Sequence, residues 1–480
     1  DYDGSGVDCD MLSENHTIAE SICSTIFDHQ SLAGSFSDSD DDIDEDEQQN
    51  PTTVESLAVP SKQADSATNR QTKLLDSLSH ASTLTTERHR AKKREQNLRN
   101  LFKAITQYAT GPPGREAITS RLHDIILPIC TNGLRAGIAS PAEQYASCRV
   151  LEATSILLGG NMDEFCEAIY EPLAKVIRAT GRANKVRGAA LRALAMSHLI
   201  CASDFSTTEA VLDLCEKVCM ERYRGEDVVP SLRACALECW ALLSTTGYDA
   251  YIAGEDLDVG NGNGRGVEIL STLGECLDHA NLDLRCAAGE CIAMIHEARL
   301  NLGIDDDDGG NASDRRFHPG SWEGSEKEVL MDEIKQRIAE LSVESGHHMS
   351  KKNKKEQKAS FREFMATIVE DESPAEVVTF RGGQLVLNSW KEIVQLNFIR
   401  HCLQGGFQIQ LMMNDTLQMI FGADGNVLNA SGTMSSLEKR LTMSKTSDAS
   451  KAADQKMRKQ RKSRINAQNR FLTADGDDPL

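Results

Sequence analysis

Four stretches of this chain repeat one design: "RVLEATSILLGG" opening on Arg149, "VRGAALRALAMSHLI" with Arg187, "SLRACALECWALLS" with Arg233, and "LDLRCAAGECIAMIHEAR" with Arg285. Each sets an Arg at the head of a helix rich in Ala, Leu and Cys, with small residues where a neighbouring helix would press close. The Arg residues recur at intervals of 38, 46 and 52 residues, which bracket the period of about 40 to 47 residues of HEAT and armadillo repeats. The segment "AGEDLDVGNGNGRG" accounts for the longest interval. Helix pairs of this kind cannot bury their apolar faces alone and must stack into a continuous array. The expected fold class is all-α, an armadillo/HEAT-like α-solenoid, with the four Arg residues at equivalent positions near the starts of stacked helices. An aromatic content of 5% suits such a helical array better than a β-sandwich.

Charge divides the rest of the chain. The formal net charge is -21, yet the excess is local: residues 1–60 hold sixteen Asp and Glu and no Lys or Arg. The run "SFSDSDDDIDEDEQQN" buries too little apolar surface to offset the entropy of ordering, so disorder is expected through residue 85. Ser37 and Ser39 each precede an Asp by three residues, a context open to an acid-directed kinase, with an unmodified solubilising tail as the other reading. At the far end, residues 451–470 carry eight Lys and Arg against one Asp, a net +7. Two shorter basic clusters lie between: Arg88, Arg90, Lys92, Lys93 and Arg94 read as a nuclear signal, an RNA-facing surface or a solvated helix face, and Lys351, Lys352, Lys354 and Lys355 as a phosphate-binding cluster, a nuclear signal or a solvated linker.

Chemistry-bearing motifs fail on inspection. The pairs Cys215 and Cys219, Cys235 and Cys239, and Cys286 and Cys291 lack the further ligands of a zinc site and read as core thiols. "GNGNGRG" is out of the dinucleotide-binding register, and "DYDGSGVDCDML" and "IDDDDGGNASD" lack the closing Glu of a calcium loop. No nucleophile motif or catalytic constellation is present, so neither an enzyme nor a cofactor, metal or small-molecule substrate is expected. No stretch approaches the roughly 20 apolar residues of a membrane-spanning helix.

Residues 360–422 have a grammar of their own. Short β-like runs, "VVTF" and "QLVL", flank Arg381-Gly382-Gly383. Ser389 is placed to cap a helix carrying Trp390, which reads as core, and Gly405-Gly406 ends that helix. Asn414 opens a last short helix. This segment, "FREFMATIVEDESPAEVVTF…LVLNSWKEIVQLNFIRHCLQGGFQIQLMMNDTLQMIFG", resembles the C-terminal domain of the interferon-related developmental regulator family, and the repeats before it resemble that family's armadillo-like region. The resemblance implies a non-enzymatic protein of nucleus and cytoplasm, associated with transcriptional co-regulation and with ribosomes that are not translating.

Read together, these features divide the chain into an acidic tail (1–85), a helical repeat domain (86–345), a basic linker (346–359), the C-terminal domain with a short hairpin (360–422), a flexible linker (423–450), a basic helix (451–470) and a disordered end (471–480). In the basic helix Lys456, Arg458, Lys459, Arg461, Lys462, Arg464 and Arg470 are spread around the axis with no apolar face for a membrane. They suit an rRNA-walled channel; a nuclear signal is the other reading. The partners expected are the ribosome and its rRNA, and proteins bound on the concave solenoid face.

Overall fold

The computed structural model describes residues 61–86, 90–254, 264–305, 322–323, 325–343, 351–380 and 383–422. Helix α1 (Ser61–Thr86) leads into α2 (Ala91–Tyr108) and the short α3 (Gly111–Thr119). A π-helical turn, Leu122–Ile126, opens α4 (Leu127–Gly133). Then come α5 (Pro141–Leu158), α6 (Asp163–Arg178), α7 (Asn184–Cys201) and α8 (Phe205–Cys219). Strands β1 (Arg222–Tyr223) and β2 (Glu226–Asp227) interrupt the chain before α9 (Pro230–Ser244), α10 (Asp249–Ala253), α11 (Arg265–Leu277) and α12 (Leu282–Asp305). Helices α13 (Glu328–Val343) and α14 (Lys351–Ile368) follow, then strands β3 (Glu376–Phe380) and β4 (Gly383–Leu387). Helices α15 (Trp390–Leu403), α16 (Phe407–Met413) and α17 (Asp415–Ile420) end the described chain.

The array is an α-solenoid of two layers. Helices α2, α5, α7, α9, α12 and α14 pack one on the next as an inner row, while α6, α8, α11 and α13 each lean on the inner helix that follows them. Helices α5, α7 and α9 of the inner row are buried on every side: fifteen consecutive or near-consecutive residues of α5 and nearly all of α7 and α9 are inaccessible. The outer helices α6 and α11 keep a polar face. A helix without a polar stripe has neighbours all round it. All the cysteines of the described residues are buried and unbridged, as the Ala/Leu/Cys composition implied.

Three of the four marker arginines hold one register. Arg187, Arg233 and Arg285 are each the fourth residue of their helix, and Arg187 and Arg233 donate to carbonyls in the last turn of the preceding outer helix, Ile177 O at 2.9 Å and Cys219 O at 2.7 Å. These carbonyls are orphans of a helix C-terminus, where a cation is favourable. Arg149 breaks the register. It is the ninth residue of α5, because that helix starts earlier than expected, at Pro141 behind the Ser140 cap, and Gln144 holds the fourth place.

Disorder does not reach residue 85 as expected. Leu74, Leu78 and Ala81 on α1 are buried at helical spacing, and α1 packs on α2, so apolar periodicity outweighs the polar composition of the segment. Strands β3 and β4 pair with each other, in the place of the two β-like runs. The β1–β2 pairing was not anticipated; its two-residue turn places Arg224 and Gly225 at positive φ, as a tight hairpin of that length requires. The described residues up to Val378 and from Val386 to Phe421 form one compact unit. Of the second, Thr379–Leu385 with the chain beyond Phe421, the described part is the facing ends of the two strands and Gly422.

Candidate functional site

The inner face of the solenoid carries a charged spine. The ninth residues of α5, α7, α9 and α12 are Arg149, Arg192, Glu238 and Glu290, one per rung. Arg149 meets Glu152 at 2.6 Å, Arg192 approaches Glu152 at 3.8 Å, and Arg192 reaches Glu238 at 2.5 Å. Both arginines and Glu152 have side chains no more than 5% exposed. Charges this deep must be paired and hydrogen-bonded.

What covers them is the chain's own C-terminal strap, residues 389–421. Helix α15 lies across α12, α9 and α5, and α16 and α17 end the strap on α2 and α5. Each rung gives the strap a specific contact. Glu297 of α12 accepts from the Trp390 backbone N–H at 2.8 Å. Asp249 of α10 holds the Lys391 ammonium at 2.5 Å, and Gln395 donates to Thr245 at 2.8 Å. Glu290 bonds the side chain of Asn397, and the Arg192 guanidinium stacks 4.0 Å over the Phe398 ring. Arg149 donates to the His401 and Cys402 carbonyls at 3.0 and 2.9 Å, so a buried cation sits at the C-terminus of α15, where the helix dipole favours it.

The turn at Gly405-Gly406 then drops the strap onto α2. A Cβ on Gly406 would drive into the Thr106 carbonyl, so only glycine permits the approach. Gln410, fully buried, donates to Thr106 O at 3.1 Å and Ala109 O at 2.8 Å, the unpaired carbonyls at the end of α2. Asn414 does two jobs: its Oδ1 caps α17 by accepting from Thr416 N at 2.9 Å, and its Nδ2 donates to Ile156 O at 3.1 Å. Ser389 caps α15 by accepting from Glu392 N at 3.2 Å. Trp390 is core, its Nε1 donating to Thr367 at 2.9 Å.

Burial pushes the Glu290 carboxyl up to about 7, with the Glu238 charge adding to the effect. Burial likewise raises Glu297 to about 7, against the pull of the Trp390 and Lys391 amides and the Lys391 ammonium. His296 is held down by burial. Its Nδ1 accepts from Trp322 at 2.9 Å while its Nε2 faces Asp371 at 2.8 Å, which makes it a neutral structural tie.

Ser197 and His198 lie 3.2 Å apart, but the ring nitrogen facing Ser197 is also 2.9 Å from the Leu194 carbonyl; it carries its hydrogen toward that carbonyl and cannot serve as a base. Among the described residues no group of His, Cys, Asp and Glu could hold a metal ion, and no helix is long and apolar enough to cross a membrane. A cleft of about 510 Å³ between α3 and the α16–α17 junction is lined by Arg115, Glu116 and Asp415, but Arg115 is committed to Leu157 O and Thr416.

Of the residues singled out from sequence, Arg90, Lys92 and Lys93 are exposed at the start of α2. Arg94 is bound instead, to Glu143 at 2.7 Å and to Ile138 O at 3.2 Å. Lys351, Lys352 and Lys354 lie in the first turn of α14, and Lys355 is exposed. Ser37, Ser39, Arg88 and the basic set Lys456, Arg458, Lys459, Arg461, Lys462, Arg464 and Arg470 lie outside the described residues. The spine was missed. Its signal was present as one charged residue recurring inside helices otherwise built of Ala, Leu and Cys.

A family profile described as "Interferon-related developmental regulator (IFRD)" matches residues 35–369, more than half of the chain. The matched region starts in the acidic run of the sequence, takes in the repeat array and ends one residue after α14. Among curated proteins, interferon-related developmental regulator 1 of Rattus norvegicus is 25% identical over 158 residues, 33% of this chain and 31% of the relative. The human protein of that name is 22% identical over 158 residues, again 33% and 31%. An uncharacterised protein of Schizosaccharomyces pombe is 26% identical over 165 residues, 33% of this chain and 36% of that protein. The aligned stretch thus spans about a third of the length of these relatives. By the extent of the profile match, the chain belongs to the interferon-related developmental regulator family.

Proposed function

We propose that this protein is a non-enzymatic ribosome-binding adaptor that represses translation by occupying non-translating ribosomes, with the basic segment 451–470 entering an rRNA-lined channel. The observation that carries the reading is the net +7 of that segment on a chain whose folded part is a family-type solenoid. Written as a helix, the sequence would spread Lys456, Arg458, Lys459, Arg461, Lys462 and Arg464 around the axis and offer phosphate contacts on all sides, and each neutralised phosphate releases condensed counterions. The other reading, a nuclear scaffold and transcriptional co-regulator with protein partners on the solenoid face, meets an obstacle: the inner face is filled by α15–α17, so a partner there would have to displace about a dozen specific contacts. In this proposal the protein works in cytoplasm and nucleus, with the ribosome as its main partner.

The test is co-sedimentation of the tagged full chain with ribosomes after nuclease treatment of mRNA, across a salt series. Replacing Arg458, Lys459, Arg461, Lys462 and Arg464 with Gln should weaken association and flatten the log-log salt slope, by roughly 0.7 to 0.9 per lost contact. Unchanged affinity and slope would remove the channel-insertion reading.

A further inference from the structure

The two edges of the solenoid differ in charge. The edge built from the N-termini of the inner helices and the loops before them carries Arg90, Lys92, Lys93 and Arg94 at α2, Arg135 before α5, and Arg178, Arg182 and Lys185 around the α6–α7 turn. Against these eight cations stand Glu95, Glu143 and Glu171, and at α9 and α12 the same edge also carries Glu221, Glu226, Asp227, Asp278 and Asp283, so the basic stretch belongs to the rungs α2, α5 and α7. Three of the cations are matched, Arg94 to Glu143, Arg178 to Glu171 at 3.5 Å and Lys185 over the Tyr145 ring at 4.9 Å. The opposite edge, where inner helices end, carries Asp163, Glu164, Asp204, Glu209 and Asp249, then Glu370, Asp371 and Glu372 after α14.

The basic loops are physically continuous. Arg94 donates to Ile138 O at 3.2 Å, Arg182 to Leu134 O at 3.1 Å and Arg224 to Arg178 O at 3.2 Å. Each bond clamps one connection to the next along the array. Stacked helices lie about 8–10 Å apart, so these clamps hold cationic heads in a stiff row with a step of that size. Arg90, Lys92, Lys93 and Arg135 are exposed on it; Arg224 shares its hairpin with Arg222 and the exposed Glu221, Glu226 and Asp227, where the basic stretch ends. Single surface cations carry little meaning, but a row with a net positive excess, fixed spacing and an acidic opposite edge is a field that attracts a polyanion.

We infer that this edge is a docking surface for the phosphate backbone of double-helical RNA. A row of fixed point charges reads backbone and shape, and no exposed aromatic among its described residues offers a platform for unstacked bases. The inference rests on the ribosomal reading for its setting and adds to it a second RNA contact, on the folded solenoid and independent of residues 451–470.

The probe is a labelled mixed-sequence RNA duplex of about 20 base pairs, titrated by anisotropy against the full chain in which the five tail residues are already replaced by Gln. In that background R90Q, K92Q, K93Q and R135Q together should weaken binding at least tenfold near 0.1 M salt and lower the salt slope by about 3. A control that neutralises the other edge, E164Q with E370Q, should leave binding equal or tighter, and unchanged thermal melting of all variants establishes that the fold is intact. Duplex affinity and slope unaffected by the edge substitutions would overturn the inference. So would an edge variant that loses binding of an acidic peptide of residues 35–50 while keeping that of RNA. The loss on edge substitution in the duplex assay reads the edge, and the loss on tail substitution in ribosome sedimentation with the edge intact reads the tail, so either reading can fail without the other.

Discussion

Arg149 shows how much one side chain can be asked to do. It neutralises Glu152, stacks 4.9 Å from Phe102 and serves two carbonyls of α15. Replacing it with Ala should cost about 3–5 kcal/mol in chemical denaturation, because Glu152 is left buried with its nearer cation gone. The double variant R149A/E152A should cost less than the sum of the singles, and a strictly additive result would show that the pair is not coupled. Glu290 and Glu297 make the second residue-level prediction. With folded values near 7 and an unfolded value near 4.3, the folded chain keeps protons that the unfolded chain has released. Their contribution is therefore full below pH of about 4.3 and is lost as the pH rises through about 7. Melting followed from pH 5 to 8 should show Tm falling by a few degrees, and E290Q with E297Q should flatten that dependence.

At the scale of elements, the strap is held by amide side chains on backbone groups that helix ends leave unpaired. Gln410→Ala strands the carbonyls of Thr106 and Ala109 and should cost about 1–3 kcal/mol, with earlier proteolysis within 390–421 than within α5 as the local readout. Equal protection of strap and rung would show that Gln410 does not anchor it. Much of this level could be read from sequence. The Ser389 and Asn414 caps, the glycine turn and the two short strands follow from local chemistry, and the repeat follows from spacing. The docking of the strap did not follow, since contacts such as Gln410 with Thr106 join residues about 300 positions apart and no local pattern encodes that. An indirect sign was available in α5, α7 and α9, whose lack of any polar stripe means that no side of them faces water. Arg149 misled for a similar reason: an Arg in an Ala-rich helix looks alike whether it heads the helix or lies at its centre.

For the whole molecule, a stacked array has contacts only between neighbours, and stretches of it can in principle melt one after another. Here a single segment touches α12, α10, α9, α7, α5 and α2 in turn, so releasing any one rung strains the fastening of the rest. The strap turns a nearest-neighbour array into a cooperative body. The intact chain should therefore unfold in urea through one steep transition reported alike by helix content and by Trp fluorescence. A chain ending at Asn388 should show a shallower curve in which the two probes part company, with a smaller apparent m-value; coincident, equally steep curves for both would mean that the solenoid's unity comes from its rungs alone.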